Sequence, residues 1–538
     1  MKHIQFLFIR FFKPGLLFVI MMALLVSCSE QVVQRPNIIF IMSDDHAYQA
    51  ISAYEDHLIH TPNIDKLGDE GMRFDRAYVT NSICAPSRAV ILTGKHSHIN
   101  GVRDNETDFD SSQTTFPKLL QQAGYQTAIV GKWHLKSDPK GFDFWKILID
   151  QGDYYQPEFK TSEGIFTMQG YVTNIITDMA LDFLSKQTNQ KKPFMLMYQH
   201  KAPHRAWLPP QQYLDAFWSQ PIPIPKTLFD DYQNRGSAAR QAEMRISDHM
   251  GLTNDTKIEP KILDSLGMKE FMKWFANIYN DKLSRLTAAE REKWDSVYGP
   301  MNEAFFNNPP QGDSLTLWKY RRYMEDYLAT IKSIDDNVGR LLDYLDESGL
   351  AENTIVVYTS DQGFYLGEHG WFDKRFMYEE SFRTPLLVRW PDKIKPGTVN
   401  SNLVQNLDFA ETFLDAAGVD IPDDMQGESL LPLFAENDKD WRNGLYYHYY
   451  EYPAFHAVKR HYGVSTDRYK LIHFYYDVDE WELYDLVKDP DEMQNVIDNP
   501  EYQQVKEELL VRLDELRKQY GDSDELTKEI LESDLNRK

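Results

Sequence analysis

The chain has 538 residues and a formal net charge of −24 at pH 7. This length exceeds one minimal domain, and the apolar and aromatic content is typical of a packed globular protein. The negative charge excludes nucleic acid as an expected partner. It does not exclude an anionic ligand, because a few local cations outweigh distant, screened charges.

The N-terminus is predicted to be a signal peptide over residues 1–27. Basic residues precede the apolar run LLFVIMMALLV, which is shorter than a membrane span needs. The run ends in LVSC, which resembles a bacterial lipobox, so Cys28 is a candidate for lipidation and residues 28–35 for a linker. We expect an exported, periplasmic protein that touches a membrane only through such an anchor. An ordinary signal peptide is the alternative.

Four buried strands are predicted next, and each ends at polar residues. They are NIIFIMS before Asp44-Asp45, QTAIVG before Lys132 and His134, PFMLMYQH before His204, and TIVVYTS before Asp361-Gln362. Helical segments separate them, and this alternation predicts an α/β fold with a largely parallel sheet between helices. Ligands bind beyond the carboxyl ends of such strands, so these polar residues are expected to meet at one edge. Taken singly, each pair is also explained as a turn or a helix cap.

The later part of the chain has a different pattern. Residues 205–320 hold no clear strand and are predicted to be an insertion packed on the core. After PLLVRWP at 385–391, four short runs predict an antiparallel sheet, followed by a helix over 503–520 and a frayed end. The chain is therefore predicted to have a main domain over 36–425 and a smaller subdomain of antiparallel sheet plus helix over 426–538.

Cys84 lies in NSICAPSRAV, before a run of helical composition that ends at Gly94. With Cys28 as the only other cysteine, the thiol is predicted to serve chemistry or modification rather than a structural disulfide. Ser87 or a neighbour is expected to cap the helix. The helix N-terminus and Arg88 are expected to lower the thiol pKa, and they would equally hold an anion.

The segment CAPSR, followed by TG at 93–94, resembles the C-x-P-S-R signature of type I sulfatases, whose cysteine is oxidised to formylglycine. The similarity continues in the family's order through RPNIIFIMSDD, GKWH, APH, SDQG and DKRFMYEESFRTPLLVRWP. It covers most of the chain and is closest to bacterial sulfatases of glycosaminoglycans and N-acetylglucosamine-6-sulfate. The resemblance implies an alkaline-phosphatase-like fold, a catalytic domain over 36–425, and a maturation enzyme that modifies Cys84.

The resemblance also implies roles for matching residues. The metal ligands would be Asp44, Asp45, Asp361, Gln362 and modified residue 84, a hard oxygen set that favours one Ca²⁺ over Mg²⁺. The family often has Asn at the position of Gln362, which offers the same amide oxygen. The catalytic residues would be Arg88 to stabilise residue 84, Lys132 and Lys374 to bind sulfate, His134 as base, and His204 as acid.

The expected reaction is hydrolysis of the 6-O-sulfate of N-acetylglucosamine-6-sulfate, free or at the end of a heparan-type fragment. Lys132, His204 and Lys374 would touch the substrate. The segment HAVKRHYGV adds His456, Arg460 and His461 as candidate sugar contacts, with a solvated loop as the alternative. HSH at 96–98 and residues 105–108 are weaker candidates of the same kind.

Three other functions stay open. The substrate could be another sulfated sugar or a phosphoester, because related hydrolases share the sheet and the metal site. The chain could be a glycan-binding lipoprotein without turnover, in which residue 84 stays cysteine. It could also be a thiol hydrolase that uses Cys84 with His134, which predicts inactivation by alkylation and indifference to chelators.

Overall fold

The computed structural model describes residues 35–188 and 192–537. The predicted signal peptide and Cys28 lie outside the described residues. Among the helices of the described part, none combines the length and the apolar character that crossing a membrane requires.

Strands and helices alternate over the first half of the chain, and four consecutive strands follow near its end. The strands, numbered in chain order, are β1 Asn37–Ser43, β2 Met72–Phe74, β3 Ala77–Tyr78, β4 Gln126–Gly131, β5 Phe144–Leu148, β6 Glu158–Thr161, β7 Gly164–Thr167, β8 Phe194–Gln199, β9 Thr354–Ser360, β10 Tyr365–Leu366, β11 Phe372–Asp373, β12 Arg383–Thr384, β13 Leu386–Arg389, β14 Thr398–Asn400, β15 Val404–Gln405, β16 Leu445–Tyr449, β17 His461–Ser465, β18 Tyr469–Phe474 and β19 Glu480–Asp485. The α-helices of the described residues are Pro62–Asp69, Cys84–Thr93, Ser97–Asn100, Phe116–Gln122, Val172–Ser185, Ser237–Gln241, Pro260–Leu266, Phe275–Ser284, Ala288–Asn307, Asp313–Ser348, Glu379–Phe382, Phe409–Ala416, Leu431–Phe434, Gln503–Gln519 and Asp524–Arg537.

A ten-stranded mixed sheet organises the main domain, in the order β14-β2-β13-β9-β1-β8-β4-β5-β6-β7. The five central strands, β9, β1, β8, β4 and β5, run parallel, whereas β13 and β6 join them antiparallel. Every residue of β1, β8 and β9 is buried, as expected for parallel strands covered on both faces. The predicted α/β fold is confirmed.

Alternate residues of β1 enter two hydrophobic layers, because side chains of a strand point to opposite faces. Ile39 packs with residues of Val172–Ser185 and Asp313–Ser348 on one face. Phe40 packs with residues of Cys84–Thr93 on the other face. The helix that begins at Cys84 is therefore held against the sheet next to the end of β1.

Between 205 and 312, the described chain forms helices and loops and adds no strand to a sheet, as predicted for an insertion. Strands β16 to β19 form the predicted four-stranded antiparallel sheet. Helix Gln503–Gln519 covers it through Leu509, Leu513 and Leu516, which are spaced to share one helix face. The domain boundary at 425/426 stays a prediction.

The frayed end expected after residue 520 is wrong. The chain forms a further helix, Asp524–Arg537, whose Asp534 is buried. The two Asp534 carboxylate oxygens accept hydrogen bonds from Arg103 at 2.8 Å and Arg460 at 3.0 Å. A carboxylate that bonds to the buried Arg460 and the half-buried Arg103 anchors the helix, and the polar composition of the helix carries no sign of this contact.

We expect Asp534→Ala to lower the free energy of unfolding by about 3 kcal/mol, because it leaves the buried Arg460 and the half-buried Arg103 without this acceptor. Glu529→Ala, at an exposed position of the same helix, is the matched control and should change stability by less than about 0.5 kcal/mol. Thermal unfolding of the two variants measures the difference. Equal unfolding midpoints would show that the helix is not anchored through Asp534.

Candidate active site

The strand register brings three predicted polar residues together at one edge of the sheet. Ser43 pairs with Ser360, so the adjoining Asp44 and Asp361 leave adjacent strands at the same level. Gln199 pairs with both Met42 and Gly131, which places Lys132 at that level too. Their convergence results from parallel pairing and cannot be read from their separation in sequence.

The helix that carries the cysteine begins at Cys84 itself. No side chain caps it, and the expected role of Ser87 as a cap is wrong. Ser87 lies inside the helix, where its hydroxyl donates to the backbone carbonyl of Asp361. The first-turn amide of Ala85 instead donates to Asn105 Oδ1 at 3.1 Å. The helix start is thus fixed both to the end of β9 and to the loop that carries Asn105.

Three buried carboxylates form a cluster that fits a divalent cation. Oxygens of Asp44, Asp45 and Asp361 lie within 4.8 Å of one another. Arg88 Nη2 donates to Asp361 at 2.9 Å. The buried oxygens Asp45 Oδ2 and Gln362 Oε1 have no hydrogen-bond partner among the described residues. Hard oxygen donors with lone pairs to spare match the ligands that Ca²⁺ and Mg²⁺ prefer.

The electrostatics of this cluster also indicate that a bound cation would stabilise it. Burial, together with the neighbouring carboxylates, raises the pKa of Asp45 and of Asp361 to about 6 despite Lys374 and Arg88. Burial acts on Asp44 as well, but Lys132 and Arg88 hold the pKa of Asp44 well below its usual range. Crowded carboxylates resist ionisation unless a cation neutralises them.

The Cys84 sulfur lies beside these carboxylates. Its Sγ is 3.4 Å from Asp44 Oδ1 and 3.4 Å from Lys374 Nζ. The pKa of the thiol is raised to about 12, because burial disfavours the thiolate more than Lys132 and Lys374 favour it. The sequence-based expectation of a lowered pKa is therefore wrong. A thiol that stays protonated at neutral pH weighs against the thiol hydrolase alternative.

Both predicted sulfate-binding lysines contact the cluster. Lys132 Nζ pairs with Asp44 and donates to Gln151 Oε1 at 2.6 Å, whereas Lys374 Nζ pairs with Asp45. Gln151 was missed by the sequence reasoning. It comes shortly after β5, the strand next to β4, so the rule applied to the other strand ends would have found it.

The two predicted catalytic histidines make different hydrogen bonds. Gln151 Nε2 lies 2.9 Å from His134 Nε2. His204 Nδ1 lies 2.6 Å from the carbonyl of Arg205 and donates to it, which leaves Nε2 to face Asp45 Oδ2 at 3.8 Å. Burial, reinforced by Lys132, lowers the pKa of both imidazoles well below the usual value. Both are therefore neutral in this structure.

A cleft of about 570 Å³ lies next to the cluster and reaches it through Lys374, which pairs with Asp45. Its wall contains three of the predicted substrate contacts, His204, Lys374 and His456. It also contains residues that the sequence reasoning missed: Gln151, Lys201, Trp274, Lys282, Asp373, Arg375 and Phe455. Asp373 and Arg375 flank Lys374 in the sequence motif, and this adjacency could have identified them as candidates.

Two predicted sugar contacts lie elsewhere. Arg460 is buried against Asp534. His461 is buried in β17, where Nδ1 donates to the carbonyl of Lys459 at 2.8 Å and Nε2 accepts from the Met377 amide at 3.1 Å. Neither lines the cleft, so we correct the expectation that they contact the sugar.

Comparison with known proteins gives concordant results. A family model described as sulfatase matches residues 36–419, and one described as the C-terminal part of N-sulphoglucosamine sulphohydrolase matches 367–519. The chain is 50% identical over 516 residues to N-acetylglucosamine-6-O-sulfatase of Bacteroides thetaiotaomicron, which covers 94% of this chain and 91% of that protein. It is 28% identical over 444 residues to human N-acetylglucosamine-6-sulfatase, which covers 77% of this chain and 67% of the human protein.

A solved structure described as a complex with its substrate D-glucosamine-2-N,6-O-disulfate is also similar. It superposes with a TM-score of 0.86 at 50% sequence identity and covers 91% of this chain and 99% of that chain.

Proposed function

The chain belongs to the sulfatase family, whose members hydrolyse sulfate esters, and we propose that it removes the 6-O-sulfate of N-acetylglucosamine-6-sulfate in heparan-type fragments. One observation carries the proposal: Asp44 and Lys374 lie within 3.4 Å of the Cys84 sulfur beneath a sugar-sized cleft. The names of the relatives support this choice of sugar. Export to the periplasm, with or without a lipid on Cys28, is part of the proposal.

In this proposal a maturation enzyme converts Cys84 to formylglycine, and the aldehyde is hydrated. One hydroxyl of the hydrate loses its proton to solvent and attacks sulfur, and the bond between sulfur and the sugar oxygen breaks. The sugar oxygen takes a proton from His204. Then His134 takes the proton of the second hydroxyl, the bond from residue 84 to sulfate breaks, and the aldehyde re-forms. Water restores the hydrate.

The positions of the two histidines suit these opposite tasks. His134 is neutral and can accept a proton. His204 lines the cleft, and its Nε2 is available because Nδ1 is occupied by the Arg205 carbonyl. A sulfate anion beside Nε2 would favour the imidazolium form. Binding of the substrate would therefore promote the protonation of His204 that its role as acid requires.

We propose Ca²⁺ as the metal, held by Asp44, Asp45, Asp361, Gln362 and residue 84. When bound, it supplies positive charge to the sulfate and to the oxygens of residue 84. Arg88 neutralises Asp361 and fixes the side chain of that ligand through two hydrogen bonds, at 2.9 and 3.1 Å. Lys132 and Lys374, which pair with carboxylates here, are placed to bind sulfate oxygens.

The sugar ring would lie between apolar and polar walls of the cleft. Trp274 and Phe455 offer aromatic faces. His456 Nε2 lies 3.2 Å from Asp373 Oδ2, and Arg375 also pairs with Asp373. These three side chains can form hydrogen bonds to sugar hydroxyls while they keep their hydrogen bonds to one another.

The decisive assay compares N-acetylglucosamine-6-sulfate with N-acetylglucosamine-6-phosphate, since the two share one leaving group. We expect kcat/KM for the sulfate to exceed that for the phosphate by about 100-fold or more. The reason is that the site favours a sulfate ester, which carries one negative charge, over a phosphate ester, which carries up to two. A preference for phosphate would establish the phosphoester alternative. Mass spectrometry of the peptide holding residues 82–88 detects the lighter aldehyde, and an unmodified thiol in active protein would contradict the proposed maturation.

A further inference from the structure

One cation on the wall of the cleft has no partner. Lys201 lines the cleft and is 1% exposed, and its Nζ makes no hydrogen bond with the described part of the chain. The contact it does make is with the face of Tyr154, whose ring centroid is 4.8 Å away. Burying an ammonium group without an acceptor is costly. An anion bound beside Lys201 would therefore offset this cost.

A second cation lies on the same wall. Lys282 comes from helix Phe275–Ser284, lines the cleft and forms no salt bridge within the described residues. After burial, Lys282 is the largest cause that lowers the pKa of Lys201, to about 7. Both lysines line the same cleft, and an anion bound between them would relieve the repulsion of the two ammonium groups.

The other cations on this wall are already neutralised. Arg205 forms two hydrogen bonds to Asp255, at 2.7 and 2.6 Å. Arg285 pairs with Asp153 at 2.9 Å. Burial lowers the pKa of Lys282, although the nearby Asp153 and Asp281 act to raise it. Neither carboxylate forms a salt bridge with Lys282 among the described residues. Among these cations of the described residues, Lys201 and Lys282 are therefore the two that form no salt bridge.

We infer that Lys201 and Lys282 form a second anion subsite, which binds a further anionic group of the sugar substrate while the 6-sulfate lies at residue 84. The inference rests on the proposed function, because the same cleft holds His204 and Lys374 at the reacting end. The group is either an N-sulfate on the same glucosamine or the carboxylate of an adjoining uronic acid. Both present oxyanions that ammonium groups bind as charge-assisted hydrogen bonds.

The test measures binding without turnover, in the Cys84→Ala protein, by titration calorimetry. Three ligands share the 6-sulfate: N-acetylglucosamine-6-sulfate, glucosamine-2-N,6-O-disulfate, and a uronate-containing disaccharide of N-acetylglucosamine-6-sulfate. We expect one of the two ligands with an extra anion to bind about 10-fold more tightly than the N-acetyl monosaccharide. The tighter ligand identifies which anion the subsite takes.

Lys201→Met and Lys282→Met keep side-chain length and remove charge, and each should bring this affinity ratio close to one. Lys261→Met is the matched control, because Lys261 is 79% exposed in its side chain and does not line the cleft; it should leave the ratio unchanged. Lys201→Met should also raise the melting temperature of the ligand-free protein, since it removes an unpaired buried charge.

Equal affinity for all three ligands in the parent protein would overturn the inference, as would a ratio that survives both lysine substitutions. A lower melting temperature of Lys201→Met with an unchanged ratio would show that Lys201 only packs on Tyr154. The proposed function fails separately, if protein with Cys84 intact and matured releases no sulfate from N-acetylglucosamine-6-sulfate. A binding ratio that depends on the lysines would still support the subsite in that case.

Discussion

Replacing Cys84 by Ala should reduce sulfate release by on the order of 10⁴-fold or more, because it removes the side chain that becomes the nucleophile. The fold should survive, since Ala leaves the backbone of Cys84–Thr93 unchanged and the sulfur makes no covalent bond. Steady-state release of sulfate from N-acetylglucosamine-6-sulfate measures the effect, and circular dichroism with thermal unfolding checks the fold.

The control for this variant is Thr93→Ala, at the far end of the same helix, where the hydroxyl bonds to the Ala89 carbonyl. It should keep most of the activity. If Cys84→Ala still released sulfate at a comparable rate, covalent catalysis at residue 84 would be wrong. If activity of the parent were lost on alkylation and unaffected by chelators, the thiol hydrolase alternative would be restored despite the raised pKa of the Cys84 thiol.

The site residues at strand ends could be predicted because two regularities combine. Strand composition locates β1, β4 and β9, and parallel pairing then brings the polar residues after each strand to one edge of the sheet. The sequence motif supplied Cys84 and Arg88. Family membership and the α/β fold, both predicted from these segments, are confirmed by the comparisons and by the sheet.

The errors share a physical origin, which is burial. The helix N-terminus and Arg88 argued for an acidic thiol, but the sign of the pKa shift depends on desolvation, which only the packed structure reveals. Arg460 was expected at the sugar because a cluster of basic residues can contact sugar hydroxyls or a carboxylate. It instead meets Asp534 from a helix 74 residues later. Long-range ion pairs of this kind leave no local signal in a sequence.

The roles of the two histidines give the second large prediction. Replacing His204 by Ala should reduce kcat for the sugar sulfate by about 10³-fold, because the sugar alkoxide is a poor leaving group that needs a proton. An activated aryl sulfate leaves as a stable phenolate, so the same variant should lose less than about 10-fold on that substrate. The measurement is kcat for both esters in the parent and in the variant.

His134→Ala is the matched comparison, since His134 is proposed to act only after the leaving group has departed. It should bring the steady-state turnover of the two esters to the same low rate, because release of sulfate from residue 84 is common to both. A burst of sugar or phenol, equal to the enzyme concentration, should precede the slow steady state in that variant. Equal losses on both esters for His204→Ala would remove its assignment as the acid, and the hydrogen bond from Nδ1 to Arg205 would then serve to position the cleft wall.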